Sequence, residues 1–248
     1  MEFYKHLVKP TQFEGHYNAV REKEGRILSI EQIRQLPITP KNYDHHQEWN
    51  KRIRSTNRFL EYLQKKQVKT LLDVGCGNGW LMFKMASLLE HITGLDINHL
   101  ELEQAAAVLA PYEHVTLKYG HIFDLEPAPE YDLILFNASV QYFPDLSQLI
   151  AVASRFLSDN GEIHILDSPI YPDSTEAEKA KQRTIIYYEQ QGVPDMINFY
   201  HHHNFQDLDS LDYRILYNPT DKFQRLKRKF ISDIPLYWLV INKPQEPA

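Results

Sequence analysis

Asp73-Val74-Gly75-Cys76-Gly77-Asn78-Gly79-Trp80 sets three alternate glycines behind one acid, at the end of the segment 68–72. Glycines at this spacing open backbone angles closed to other residues and let a ligand approach the main chain. A dinucleotide-binding turn reads G-x-G-x-x-G and aims a helix N-terminus at a pyrophosphate. Here the third glycine falls one residue early, and Trp80 stands where that pattern wants glycine or alanine. Asp73 sharpens the contrast, because a carboxylate ahead of the turn attracts a cation and repels a diphosphate. Read without a ligand, the run is a glycine-rich turn from strand to helix.

Such a turn needs rigid neighbours. From about residue 67, short apolar runs alternate with longer helical patterns. The segment 68–74 reads as a strand, and Trp80, Leu81, Met85, Leu88 and Leu89 supply the helix face after it. His91–Asp96 is a second strand, followed by a helix over 101–109 that Pro111 ends. Val115–Tyr119 is a third. Tyr131–Asn137, apolar on both faces as a buried parallel strand is, makes a fourth. Leu146, Leu149, Ile150, Ala153, Phe156 and Leu157 recur at helical spacing, and Asn160-Gly161 separates them from a fifth strand over 162–167. This alternation predicts an α/β fold, a largely parallel sheet with helices on both faces.

Two segments stand outside the rhythm. Residues 1–66 hold a long helix over 42–66, with Trp49, Ile53, Thr56, Leu60 and Leu63 along one side. Residues 168–210 combine Pro169, Pro172 and Pro194 with a helix over 175–191 and a tyrosine- and histidine-rich patch. Strands over 213–217 and 236–241 close the chain. The expected division is a helical cap at 1–66 and a domain at 67–248 carrying a lid-like insertion at about 168–210. Both extra segments suit the carboxyl edge of the sheet, where open α/β folds bind ligands.

In that setting 73–79 resembles the first motif of the class I S-adenosylmethionine-dependent methyltransferases. Gly94-Leu95-Asp96-Ile97, Gly120-His121-Ile122-Phe123-Asp124, the run 131–143 and the loop 156–163 recur in that family's order, so the likeness spans about residues 67–170. The resemblance implies a Rossmann-like, seven-stranded, mostly parallel sheet of order 3-2-1-4-5-7-6, with strand seven antiparallel. It implies S-adenosylmethionine contacts from Asp73, Gly75, Cys76, Gly77 and Asn78, with Asp73 suited to the ammonium group. Asp96 and Ile97 fall at the ribose, although a nicotinamide enzyme places an acid at a similar distance. His121, Ile122 and Phe123 fall beside the adenine, with His121 standing where the family usually has an acid. Asn137 and Ala138 fall beside the methionine part. The run at 137 is not the Asn-Pro-Pro-Tyr signature of enzymes that methylate adenine or glutamine amides.

Methyl transfer from a sulfonium is an in-line displacement that depends on proximity and exclusion of water. A general base helps only an acceptor that must lose a proton. Acceptor contacts are expected from Gln141, Tyr142, Asp167, Tyr171 and His201, the last within His201-His202-His203. Adjacent histidines on a regular element cannot all face one ion, and one cysteine builds no cysteine cluster, so no metal is expected. Asn137 and Asp167 end adjacent strands, as in magnesium-dependent catechol methylating enzymes, without the rest of that ligand pattern. Trp49 and Arg52 are placed to cover the cofactor, or to anchor their helix.

The bulk properties set outer bounds. A formal charge of −6 opposes a general affinity for nucleic acid or anionic membrane. The exception is Lys222, Arg225, Lys227, Arg228 and Lys229 beside Phe223, Leu226 and Phe230, read as an amphipathic helix with a solvated basic face. One cysteine excludes an intramolecular disulfide framework. Neither a secretory signal at Met1–His6 nor a membrane-length apolar run is evident, so a cytoplasmic location is expected. The leading expectation is methyl transfer to a small or medium-sized acceptor. Its rivals are a nicotinamide oxidoreductase, a non-catalytic cofactor-binding or scaffold protein, and an RNA methyltransferase.

Overall fold

The computed structural model describes residues 11–128 and 130–243; the start read above for a secretory signal lies outside them. Seven strands, β1 (Thr70–Val74), β2 (His91–Asp96), β3 (Val115–Tyr119), β4 (Tyr131–Asn137), β5 (Leu157–Leu166), β6 (Tyr213–Tyr217) and β7 (Trp238–Asn242), form one sheet. Its order is β3-β2-β1-β4-β5-β7-β6. β1 to β5 pair in parallel, and β7 runs antiparallel to β5 and β6. Fold class and strand order are those that the sequence predicts.

Helices α1 (Gln12–Lys23), α2 (Ile30–Gln35), α3 (His46–Lys66), α4 (Trp80–Met85), α5 (His99–Leu109), α6 (Leu146–Ser154), α7 (Ser174–Gln190) and α8 (Lys222–Lys227) surround the sheet. The apolar runs in the central strands have no solvated face to spare: Leu71, Leu133, Ile134, Leu135 and Phe136 are fully buried. One core cluster joins α3, α4 and α5 to the sheet through Phe59, Leu63, Met82, Leu102 and Val108. A second packs Leu149, Ile150 and Ala153 of α6 against Leu72, Ile134 and Ile163. A third, smaller cluster holds Val20, Tyr188, Val193 and Met196, joining α1, α7 and residues 194–199.

Three local expectations change. The long helix begins at His46 rather than 42. β5 starts at Leu157, so Asn160-Gly161 lies within the strand rather than before it. A register shift against Tyr131 absorbs the irregularity, and a Cβ at Gly161 would stand 2.8 Å from the Tyr131 carbonyl oxygen. Finally, α8 has only six residues, and its apolar side is not packed: Phe223, Leu226 and Phe230 are 67%, 56% and 82% exposed.

Candidate active site

The glycine turn runs from β1 into α4. Gly75 and Gly77 have φ of 77° and 53°, left-handed values that favour glycine. A Cβ on Gly75 would lie 2.6 Å from the Ser139 Cβ. Ser139 cannot easily withdraw, because its hydroxyl donates to the Val74 carbonyl at 2.7 Å. The Gly77 N–H donates to Asp96 Oδ2 at 2.8 Å, and the Asn98 N–H donates to Asp96 Oδ1 at 2.9 Å. The turn is thereby tied to the acid that ends β2. Asn98 also caps α5, its side-chain oxygen accepting from the Glu101 N–H.

Two cavities meet above this turn. The first, about 600 Å³, is bordered on the sheet side by Asp73, Cys76, Gly77, Asn78 and Asn137. Gln141 and Tyr171 also line it, and α3 contributes Trp49 and Arg52. The second, about 460 Å³, is bordered by Asp96, Ile97, His121 and Ile122, with Phe13, Phe143 and Phe199 as apolar walls. Gly75, Ala138, Tyr17, Glu101 and Tyr142 belong to both. The structure thus gathers the candidate residues of four strand ends, those of β1 to β4, around one continuous space. Phe123, Asp167 and His201 line neither cavity.

Asp73 is 2% exposed, and its Oδ1 has no hydrogen-bond partner among the described residues. Burial, with a lesser push from Asp96, raises its carboxyl to about 8. Asn137 Oδ1 and Gln141 Oε1 are likewise buried acceptors without partners. Asp96 is itself pushed up by burial and by Glu101. A relay links the cavities: Arg21 Nε donates to the Tyr17 hydroxyl at 3.0 Å, and that hydroxyl donates to Glu101 Oε1 at 3.3 Å. α1 is held over this point from β2's end, since buried Glu14 accepts from the His99 N–H at 2.7 Å and Asn98 donates to Asn18 Oδ1 at 2.7 Å.

Trp49 both anchors and covers. Its ring meets Trp80 edge-on at 5.2 Å, and the Arg52 guanidinium lies 5.4 Å from its centre. Asp167 sits under α3 instead of in the cleft: its φ of 51° turns it away, and Oδ2 accepts from Ser55 at 3.0 Å and pairs with Arg52 at 3.5 Å. Burial raises its carboxyl against the pull of Arg52. The histidine run is a clasp. The His201 N–H donates to the Gln141 carbonyl at 2.7 Å, His202 bonds Thr184 at 2.8 Å, and buried His203 donates to the Val140 and Phe143 carbonyls at 3.1 and 2.9 Å. Phe123 stacks on His121 at 5.0 Å.

Tyr17, Arg21 and Glu101 escape a reading of the sequence. Glu101 looks there like an ordinary first-turn acid favoured by the helix dipole. Tyr17 and Arg21 show only four-residue spacing on a polar helix. The basic stretch 222–229 lines neither cavity. Among the described residues no group of three or more His, Cys, Asp or Glu is placed to hold a metal, and no helix is long and apolar enough to cross a membrane.

Comparison with known proteins agrees with this geometry. The family profile described as a methyltransferase domain matches residues 64–197, more than half of the chain. The chain is 26% identical over 198 residues to phosphoethanolamine N-methyltransferase 1 of Arabidopsis thaliana, covering 73% of this chain and 38% of that protein. It is 26% identical over 152 residues to 27-O-demethylrifamycin SV methyltransferase of Amycolatopsis mediterranei, covering 56% of each. The chain therefore spans well under two thirds of these curated relatives. Geranyl diphosphate C-methyltransferase of Streptomyces coelicolor, crystallised with S-adenosylhomocysteine, superposes with a TM-score of 0.60 over 96% of this chain and all of that one, at 14% identity. That last likeness speaks for the fold alone. The chain belongs to the methyltransferase-domain family of class I S-adenosylmethionine-dependent methyltransferases.

The residues fit that cofactor. Asp73 Oδ1 is a buried acceptor awaiting a donor, as an ammonium is, and the two glycines leave the main chain open beside it.

Proposed function

We propose that this chain methylates a small or medium-sized acceptor seated in the first cavity. S-adenosylmethionine, when bound, supplies an electrophilic methyl group on a sulfonium. Asp73 holds its ammonium, Asp96 its ribose hydroxyls, and Ile97 and Ile122 pack its adenine with His121 at the edge. Gly75, Cys76, Gly77 and Asn78 present their backbone, while Asn137 and Ala138 border the methionyl part. Gln141, Tyr142 and Tyr171 contact the acceptor. Residues up to 66 act as a cap and 168–210 as a lid, so that water is excluded while acceptor and methyl donor are held in line.

The observation that carries this reading is the trio of dry, unpartnered acceptors Asp73 Oδ1, Asn137 Oδ1 and Gln141 Oε1 around the turn. Each buried polar atom left unsatisfied costs about 1–3 kcal/mol, which a cationic donor relieves and a diphosphate does not. Asp73, Asp96 and Glu101 together also disfavour a dinucleotide, because a diphosphate would have to keep these carboxyls protonated whereas an ammonium is stabilised as they ionise. A basic stretch that lines neither cavity favours a small acceptor over RNA. One buried cysteine and the lack of a membrane-length helix among the described residues favour the cytoplasm.

Calorimetry decides the point. S-adenosylhomocysteine is expected to bind, NAD to bind far more weakly, and Asp73→Asn to lower S-adenosylhomocysteine affinity at least about tenfold. NAD binding as tightly as S-adenosylhomocysteine would overturn the proposal.

A further inference from the structure

The far wall of the first cavity is one face of α7. Ala180, Arg183, Thr184, Tyr187 and Tyr188 line it at i, i+3, i+4, i+7 and i+8. Tyr171 and Tyr200, which precede and follow α7 in the chain, line the same cavity. The Tyr188 and Tyr200 rings meet edge-on at 6.2 Å, and Tyr200 meets Tyr142 at 5.8 Å. Burial raises the hydroxyls of Tyr171, Tyr188 and Tyr200, and among the described residues no hydrogen bond offsets it at any of the three. They therefore stay protonated, with donors to spare. They also lie near enough to feel one another: Tyr200 senses Tyr171, Tyr188 senses Tyr200, and Tyr171 senses the Arg183 guanidinium.

The arginines of this cavity are not all paired. Four of them, Arg21, Arg26, Arg52 and Arg183, line it with four carboxylates, Glu24, Glu48, Asp73 and Glu101. Arg26 engages both glutamates, reaching Glu24 at 3.0 Å and forking onto Glu48. Arg52 pairs with Glu48 and Asp167, and Arg21 lies 3.6 Å from Glu24. Arg183 makes no ion pair among the described residues. A neutral, apolar guest would desolvate the three hydroxyls without offering them partners, and would make no use of the guanidinium. An ammonium would find aromatic faces but also an unpaired like charge.

We propose that Arg183, Tyr171, Tyr188 and Tyr200 form an oxyanion subsite that grips an acid group, carboxylate or phosphate, carried by the methyl acceptor. The inference rests on the acceptor occupying the first cavity. Held at this end by charge-assisted hydrogen bonds, the acceptor turns its opposite end toward the glycine turn. The four residues thus select and orient; they do not touch the transferred group.

The test uses the full chain, with and without saturating S-adenosylhomocysteine, in phosphate-free buffer. Inorganic phosphate is followed by phosphorus NMR line width, and acetate and tetramethylammonium by proton saturation transfer. Phosphate or acetate is expected to bind and tetramethylammonium not. Phosphate the tighter assigns a phosphorylated acceptor, acetate the tighter a carboxylic one. Arg183→Gln, on an exposed helix position, should weaken anion binding about tenfold, and Tyr188→Phe and Tyr200→Phe each about three- to fivefold, with S-adenosylhomocysteine affinity unchanged. Binding of tetramethylammonium in place of both anions overturns the subsite, as does anion binding indifferent to Arg183→Gln and Tyr200→Phe. If the anions bind as expected and S-adenosylhomocysteine does not, the subsite stands and the methyltransferase reading falls.

Discussion

Asp73 carries a proton that its ligand must displace. With its carboxyl raised to about 8 by burial and by Asp96, the free protein holds it neutral at pH 7. Binding an ammonium favours the carboxylate, so S-adenosylhomocysteine should release up to one proton from this group near pH 7. Calorimetric enthalpies measured in buffers of different ionisation heat read that release directly, and affinity should rise from pH 6 toward about 8, then level. Stability runs the other way. The folded carboxyl titrates above the ordinary aspartate value of 3.8, so the free protein loses stability as pH climbs through that interval to about 8. Asp73→Asn should therefore raise Tm of the free protein at pH 8, by about 2–4 °C for each kcal/mol relieved. The sequence marks Asp73 as suited to a cation. Its protonation is invisible there, because it depends on dryness and on Asp96, 23 residues away along the chain.

At the scale of elements, the clasp between the lid and the 138–143 segment is the joint that matters. His203 is 4% exposed and satisfies two carbonyls on a segment that borders both cavities. His203→Ala strips the Phe143 carbonyl of its donor, leaves the Val140 carbonyl only the Phe143 N–H, and should cost about 1–3 kcal/mol, measured by thermal or denaturant unfolding. It should weaken S-adenosylhomocysteine binding as well, since Ala138 and Ser139 lose their support. A histidine run on a polar segment advertises a metal or a base; here packing makes it a connector. Asp167 carries a related lesson. Its position at the end of β5 follows from strand periodicity, yet the turn after the strand aims it beneath α3, toward Arg52 and Ser55.

Across the whole molecule, the cap and lid share an apolar cluster of their own, separate from the two that flank the sheet. A small cluster opens at lower free energy than a large core, which suits a cover that must admit ligands. Hydrogen exchange is expected to be faster in α1 and in residues 194–199 than in β1, β4 and β5 of the free protein. S-adenosylhomocysteine should slow exchange mostly in α1, through the Tyr17–Glu101 contact and the Glu14 anchor. Equal slowing of the central strands and α1 would mean that the cap is no independent cover.

Sequence alone determined the strands, their largely parallel sheet and the turn at 73–79, because strand and helix periods and glycine spacing are local properties that survive without neighbours; the order of the strands followed from the family resemblance. It also separated a cationic ligand from a diphosphate, through Asp73 and the early Gly79. Only the tertiary structure decided which distant side chains complete the site. Tyr17, backed by Arg21, reaches Glu101 across 84 residues, and Arg183, Tyr188 and Tyr200 line one cavity from a helix and a loop that the sequence marks as a lid without saying which side chains face inward. Those meetings are set by how the cap and lid pack on the sheet, a long-range balance of apolar burial and ion pairing that leaves no period in the chain.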